Sequence, residues 1–102
     1  MSVDLTDLRR RIEARYSTCG RFARGYVHWK LRLDPILPTV LDLAGRERFG
    51  RVVDLGCGRG QLGVALLETG RADALTGLDW DEALLAEGTI AAAGEARFRQ
   101  AD

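Results

Sequence analysis

The chain has 102 residues, which is enough for one domain and few for an α/β enzyme. Hydrophobic residues make up 46% and charged residues 29%, a composition that supports a packed core and excludes a wholly disordered chain. The 15 basic and 15 acidic residues cancel, so no global field attracts nucleic acid or acidic lipid, and we expect no nucleic acid among the partners.

Residues 1–48 are predicted to form a helical segment. A first helix is capped by Asp4 or Thr6 and runs to about residue 16, with apolar residues at helical spacing on one side: Leu5, Leu8, Ile12 and Tyr16. A second helix covers about residues 21–33 and carries an aromatic stripe that must pack on something: Phe22, Tyr26, Trp29 and Leu33.

A third helix is predicted after Asp34. Asp34 is a good N-cap, Pro35 suits the first helical position, and Gly45 is expected to stop the helix. Its buried side is predicted from the apolar residues Ile36, Val40, Leu41 and Leu43.

From residue 49 onwards the pattern changes to alternating strands and helices. We predict strand one at 51–55, helix A at 61–68, strand two at 74–78, helix B at 81–93 and strand three at 96–101. Strands and helices that alternate with short connections imply right-handed crossovers and a parallel sheet. The sequence therefore predicts the α/β fold class, with the sheet in residues 49–102.

A glycine-rich loop, defined here as residues 56–60, follows strand one. Gly56, Gly58 and Gly60 have no Cβ, so they can take positive φ angles and leave main-chain N–H groups uncovered where a ligand would lie. Cys57 is expected to be a small loop residue rather than a nucleophile, since no second cysteine or histidine is placed beside it.

Three acids follow the three predicted strands: Asp54, Asp79 and Asp102. The carboxyl ends of parallel strands share one edge of the sheet, so these residues, 25 and 23 positions apart, are expected to converge on one crevice. The alternatives are structural: Asp54 as a loop cap, Asp79 or Asp81 as the cap of helix B, and Asp102 as a chain end.

Two classes of cofactor fit the glycine-rich loop. Residues 58–63 satisfy G-x-G-x-x-G, and Asp79 lies 21 residues after Gly58, where dinucleotide-binding folds place a ribose-binding acid. Asp54 favours a different class, because a carboxylate there would repel a pyrophosphate, whereas a sulfonium cofactor with an α-amino group is positively charged. Counted from Gly56, the third glycine of a dinucleotide fingerprint would fall at Gln61.

Three segments resemble motifs of the Rossmann-like (class I) S-adenosylmethionine-dependent methyltransferases: VDLGCGRG at 53–60, LTGLDW at 75–80 and FRQAD at 98–102. The resemblance covers about residues 51–102. It implies a Rossmann-like αβα sandwich with strands in the order 3-2-1-4-5-7-6, cut short here before strand four, so that strand one has an unpaired edge.

The resemblance also implies a set of cofactor-binding residues: Asp54, Gly56, Cys57, Gly58, Gly60, Asp79, Trp80 and Asp102. The loop glycines would approach the methionine part of S-adenosylmethionine, and Asp54 would hold its amino end. Asp79 would accept hydrogen bonds from both ribose hydroxyls, Trp80 would pack against the adenine, and Asp102 would accept from the adenine amino group.

The function implied is methyl transfer from S-adenosylmethionine to a small-molecule acceptor. Residues 49–102 would form the cofactor-binding half-domain, and residues 1–48 would form a lid over the acceptor or pack on the sheet. A domain that binds NAD(P) or flavin for an oxidoreductase and a non-catalytic Rossmann-like binding domain remain alternatives. Alone, a chain this short is expected to be weakly active or inactive, and to self-associate through the open edge of the sheet.

No catalytic base and no metal ligand are assigned from the sequence. His28, the only histidine, lies in the aromatic helix, where structural packing is the simpler role. Cys19 and Cys57 form no recognisable disulfide framework, so we expect reduced thiols. With no signal-peptide pattern and no run of about 18 apolar residues, a cytoplasmic protein without membrane insertion is expected.

Overall fold

The computed structural model describes residues 3–101, apart from the side chain of Arg46. Every predicted element is present in this range, and the first two strands each begin two residues earlier than predicted. In chain order the elements are α1 (Leu5–Arg15), α2 (Arg21–Leu33), α3 (Ile36–Arg46), β1 (Phe49–Leu55), α4 (Gln61–Glu68), β2 (Ala72–Asp79), α5 (Glu82–Ala92) and β3 (Arg97–Gln100).

The three strands form one parallel sheet in the order β1-β2-β3, which confirms the predicted α/β fold. The register pairs Asp54 with Gly77 and Gly77 with Phe98. Paired residues of a parallel sheet point to the same face, and side chains alternate along a strand, so Asp79 shares that face as well. We call it the covered face, because helices pack against it.

Helices α4 and α5 approach the covered face at glycines. A Cβ on Gly63 of α4 would lie 2.3 Å from Cδ2 of Leu75, and a Cβ on Gly88 of α5 would lie 3.1 Å from the ring of Phe98. Only a residue without a side chain lets the helices come this close to the strands. The glycines therefore fix the spacing between the helices and the strand ends that carry the site.

One hydrophobic core joins the N-terminal helices to the rest of the chain. Its buried members come from α1 to α5, the residue after α1 and the start of β2: Leu8, Ile12, Tyr16, Val27, Leu31, Leu37, Leu41, Ala44, Val64, Ala65, Leu66, Ala72 and Ala91. The predicted apolar side of α1 is confirmed by three of these residues, and Asp4 is its N-cap, accepting from the N–H of Asp7 at 3.1 Å.

The opposite face of the sheet, which we call the open face, has no helix packed on it within residues 3–101. Val53 and Leu55 of β1 project from it and are 59% and 77% exposed. Parallel sheets normally bury both faces. The described residues therefore supply three strands and one of the two helical layers of the predicted sandwich.

The structure corrects the prediction for α2. Its buried residues are Ala23, Val27 and Leu31, whereas Phe22 and Trp29 of the predicted stripe are exposed. Val27 and Leu31 belong to the hydrophobic core shared with α1 and α4, so the aromatic side of α2 lies at the surface, where the rings of Phe22 and Tyr26 flank the Arg59 guanidinium. No helix within residues 3–101 is both long and apolar enough to cross a membrane.

The boundaries and the buried side of α3 also differ from the prediction. The carboxylate of Asp34 accepts from the N–H of Ile36 at 3.0 Å, but Pro35 is the N-cap rather than the first helical residue. Gly45 lies inside the helix, where a Cβ would come within 3.2 Å of the Arg71 guanidinium. Leu37, Leu41 and Ala44 are buried, whereas Ile36 and Leu43 are exposed.

Candidate functional site

The glycine-rich loop connects β1 to α4 and has the predicted backbone conformation. Gly56, Gly58 and Gly60 have φ angles of 69°, 57° and 79°. A Cβ on Gly56 or Gly58 would meet no heavy atom within 4 Å, so open space lies beside the first part of the loop. Gly60 differs, because its Cβ would lie 2.6 Å from the ring of Phe98.

The loop amides are not left uncovered, and that prediction is wrong for four of them. The N–H groups of Gly56 and Cys57 donate to the carbonyl of Leu78 at 2.8 and 3.0 Å. Gly58 donates to Oδ2 of Asp79 at 2.8 Å, and Gly60 donates to the carbonyl of Cys57 at 2.9 Å. The loop therefore folds back onto the end of β2, which accepts from three of these donors, while the fourth closes a turn within the loop.

Asp79 ends β2 and holds two neighbouring segments together. Its carboxylate accepts from the N–H groups of Asp81 and Gly58, and these hydrogen bonds hold its pKa below the usual range. Asp81, not Asp79, caps α5, accepting from the N–H groups of Ala83 and Leu84. An ionised carboxylate has about four acceptor positions, so Asp79 retains capacity for further donors.

Asp54 lies beside Asp79 on the covered face and is half-buried. Burial, and then the negative charge of Asp79, raise the pKa of its carboxyl group. No residue within 3–101 is seen to donate a hydrogen bond to this side chain. The pair is therefore a local concentration of negative charge that a cationic or hydrogen-bond-donating ligand would stabilise.

Cys57 is buried near this pair of acids. A Cβ on Gly77 would lie 2.8 Å from its Sγ, so the thiol packs against the sheet. Burial, followed by the charges of Asp54 and Asp79, raises the pKa of Cys57 to about 11. The thiol stays protonated at neutral pH, which agrees with the prediction of a small loop residue rather than a nucleophile.

Trp80 follows Asp79, and its side chain is 73% exposed. Its carbonyl accepts from the side chain of Gln100 at 2.9 Å, and the N–H of Ala101 donates to the carbonyl of Asp79 at 3.0 Å. These contacts bring the end of β3 beside Asp79. Asp102, the third predicted acid, lies outside the described residues.

Sequence reasoning missed Arg59, the second non-glycine residue of the loop. Its guanidinium carbon lies 4.5 Å from the ring centroid of Tyr26 and 5.4 Å from that of Phe22. Its Nε donates to Glu87 at 2.6 Å, and its carbonyl accepts from the hydroxyl of Tyr16 at 2.6 Å. The signal in the sequence is the pair of aromatic residues Phe22 and Tyr26, spaced i, i+4 on one side of α2, because a cation such as the Arg59 guanidinium can pack against both rings.

His28 lies away from the acids, on the surface where α1 meets α2. Its Nδ1 is 2.5 Å from a carboxylate oxygen of Glu13, which Arg32 also contacts at 2.8 Å. The contacts of His28 thus join two helices. Among residues 3–101, no group of three or more histidine, cysteine, aspartate and glutamate side chains is arranged to hold a metal ion.

Comparison with known proteins finds similarity in structure. No family model matches the chain, and no curated protein matches it by sequence. Among the solved structures that match is the complex of DhpI with SAH (S-adenosylhomocysteine), with a TM-score of 0.57 and 25% sequence identity. The match covers 95% of this chain and 42% of that chain, so the chain spans less than half the length of this neighbour. The likeness confirms the Rossmann-like fold and the resemblance to methyltransferases that the motifs indicate.

Proposed function

We propose that the chain binds S-adenosylmethionine at the carboxyl ends of β1 and β2 and forms the cofactor-binding half of a methyltransferase. The observation that carries this proposal is the pair of neighbouring carboxylates, Asp54 and Asp79, beside a loop with open space at Gly56 and Gly58. The DhpI neighbour holds SAH, which is what S-adenosylmethionine becomes once its methyl group has been transferred.

The residues fit the charge and shape of this cofactor. Asp54, whose pKa is raised in the free protein, is expected to meet the α-amino group, whose positive charge would favour the ionised carboxylate. Asp79 is already ionised and positioned by two backbone donors, so it is suited to accept from the ribose hydroxyls. Exposed Trp80 would cover the adenine. The role of Asp102 at the adenine amino group stays a prediction.

When bound, the cofactor would supply a methyl group on a sulfonium sulfur: the acceptor nucleophile would bond to the methyl carbon as the sulfur–methyl bond breaks, with SAH as the leaving group. The contribution of this chain is to bind and orient the donor, which accounts for a large part of catalysis when a reaction depends on near-attack geometry. No base is assigned, because one is needed only where the acceptor must lose a proton. We propose a small-molecule acceptor, approached from the side of residues 1–48.

A dinucleotide is the competing ligand, and binding measurements separate the two. Isothermal titration of the protein with S-adenosylmethionine, SAH and NAD should give heat for the first two ligands only. The Asp79→Asn variant loses one carboxylate oxygen as an acceptor, so its affinity for SAH should fall by about tenfold to a hundredfold.

Asp73→Asn is the matched control. Asp73 lies on the same strand near its opposite end, where it is exposed and pairs with Arg48 at 2.5 Å. Its removal should leave SAH affinity unchanged. Tight binding of NAD, or equal losses of SAH affinity in the two variants, would refute the proposed site.

We further propose that copies of the chain associate through β1. In the sheet formed by residues 3–101, this strand lies at one edge, and its open-face residues Val53 and Leu55 are exposed. An unpaired edge next to exposed apolar side chains favours strand pairing between molecules.

A further inference from the structure

Arg59 is where the glycine-rich loop meets three helices. Its side chain is 10% exposed, although it is an arginine in a loop. The guanidinium contacts the aromatic rings of α2 and the carboxylate of Glu87 in α5, while the main-chain carbonyl accepts from Tyr16 just after α1. Arginine side chains in loops are mostly exposed, so the burial of Arg59 among several partners is unusual and indicates that it positions the loop.

We propose that Arg59 is a positioning residue that fixes the second half of the glycine-rich loop against α1, α2 and α5, and thereby sets the affinity of the loop for the cofactor. This inference rests on the proposed function, since it concerns the same site. It assigns the N-terminal helices a part in cofactor binding, through Arg59, in addition to any contact with the acceptor.

The argument starts from the flexibility of the loop. Three of its five residues are glycines at positive φ, so the free loop has many conformations to lose. The first half is held by β2, because Gly56, Cys57 and Gly58 donate to Leu78 and Asp79. In the second half of the loop, the hydrogen bonds found among residues 3–101 that reach outside the loop and α4 both involve Arg59: its carbonyl accepts from the Tyr16 hydroxyl, and its Nε donates to Glu87.

Arg59 makes aromatic contacts and a charge-assisted hydrogen bond, which is stronger than a hydrogen bond between neutral groups. The guanidinium is always charged, and it is paired with one carboxylate while it lies over two aromatic rings, an arrangement suited to its planar shape. The hydroxyl of Tyr16 is fully buried, and burial raises its pKa, so it stays a proton donor at neutral pH. The contacts therefore persist over the range in which the protein would bind its cofactor.

Two variants remove these contacts with little change in shape. Tyr16→Phe deletes the hydroxyl that donates to the Arg59 carbonyl, and Glu87→Gln deletes the charge that pairs with the guanidinium. Glu68→Gln is the matched control, because Glu68 also pairs with arginines between helices, at Arg11 and Arg15, and has a side-chain exposure of 15% against 24% for Glu87. Glu68 does not touch the glycine-rich loop.

The measurements are amide hydrogen exchange of residues 56–60 in the free protein and the dissociation constant for SAH. Loss of one hydrogen bond or one partly buried charge pair corresponds to a change of about fivefold to tenfold. We expect Tyr16→Phe and Glu87→Gln to speed exchange in residues 59–60 and to weaken SAH binding by that factor. Glu68→Gln should lower the melting temperature without either effect.

The outcomes separate this inference from the function on which it rests. If the unmodified protein does not bind SAH, the proposed function fails, and the exchange comparison still decides whether Arg59 holds the loop. If SAH binds but loop exchange in Tyr16→Phe and Glu87→Gln matches that of Glu68→Gln, the positioning role is overturned. Faster loop exchange with unchanged SAH affinity overturns the link to cofactor binding.

Discussion

The two faces of the sheet are built from the same three strands but differ in packing and in the residues they present. On the covered face, the ring of Phe98 lies in space left by Gly60, Gly77 and Gly88, and the two site acids project from the strand ends. On the open face, Val53 and Leu55 of β1 are exposed.

This difference indicates which elements of the fold position the candidate cofactor site. The candidate cofactor site depends on the covered face, on α4 and α5, and on the N-terminal helices that share their core. The open face contributes no residue to it. We therefore expect the substitutions on the covered face to affect stability and ligand binding, and those on the open face to affect association.

The largest difference is expected between two leucines of neighbouring strands. Leu75→Ala removes a buried side chain that contacts α4 at Gly63, and should lower the free energy of unfolding by about 3 kcal/mol. Leu55→Ala removes an exposed one and should change it by less than about 0.5 kcal/mol. Urea denaturation measures both, and similar values would mean that the open face is packed in solution.

A second pair of substitutions tests the tight fit around Phe98. Gly77→Ala places a Cβ 2.6 Å from the Phe98 ring and should lower the free energy of unfolding by about 2 kcal/mol. Gly50→Ala, also in a strand, meets no atom within 4 Å and serves as the control, with an expected change of less than about 0.5 kcal/mol. Equal effects would show that glycine at 77 is not required by packing.

A third prediction concerns the charge at Asp54. Because its pKa is raised in the folded protein, the stabilising contribution of its proton is complete below the ordinary aspartate pKa and is lost as the pH rises through the raised value. Asp79 has a lowered pKa, so its contribution is present above the ordinary value and is lost as the pH falls through the lowered one.

Asp54→Asn removes the ionisable group at position 54, and with it the destabilising charge that Asp54 carries above its raised pKa. At neutral pH the free variant should melt about 2–5 °C higher than the unmodified protein, while its affinity for S-adenosylmethionine falls. Melting curves across the acidic range, with and without ligand, measure both effects. A lower melting temperature for the free variant at neutral pH would contradict a raised Asp54 pKa caused by burial and by repulsion from Asp79.

The smallest effect on stability is expected from a charge placed on the open face. Leu55→Lys should reduce self-association with little change in unfolding, because a lysine on an edge strand opposes pairing between molecules. Ile90→Lys is the control, since Ile90 is also exposed and apolar but lies on α5. Sedimentation velocity compares the two variants, and equal association would exclude β1 as the interface.

The elements of this fold were predictable because the local signals agreed. Glycines and capping residues mark most helix ends, and the alternation of strands and helices allows few arrangements other than a parallel sheet. The motifs placed Asp54 and Asp79 at neighbouring strand ends, and the register puts both on the covered face. Their contacts with the cofactor are untested predictions.

The errors arose where packing between distant segments overrides local pattern. In α2, periodicity favours the aromatic side as the buried one, but the buried residues are Ala23, Val27 and Leu31, and the last two belong to the core shared with α1 and α4. Gly45 was interpreted as a helix stop, whereas the Arg71 side chain occupies the space where its Cβ would lie. The glycine pattern predicts uncovered loop amides, but three of them donate to the end of β2.

The sequence by itself determined the order of elements, the fold class and the identity of the acids at the strand ends, because these depend on hydrophobic period, turn residues and short spacing. Only the tertiary structure decided which side of α2 is buried, where the loop amides donate, and that Arg59 joins the loop to the N-terminal helices. The physical reason is that these contacts join residues far apart in the sequence, and sequence periodicity carries no information over such distances. The loop amides and their acceptors in β2 are 21 or 22 positions apart, and Tyr16 and Arg59 are 43 positions apart.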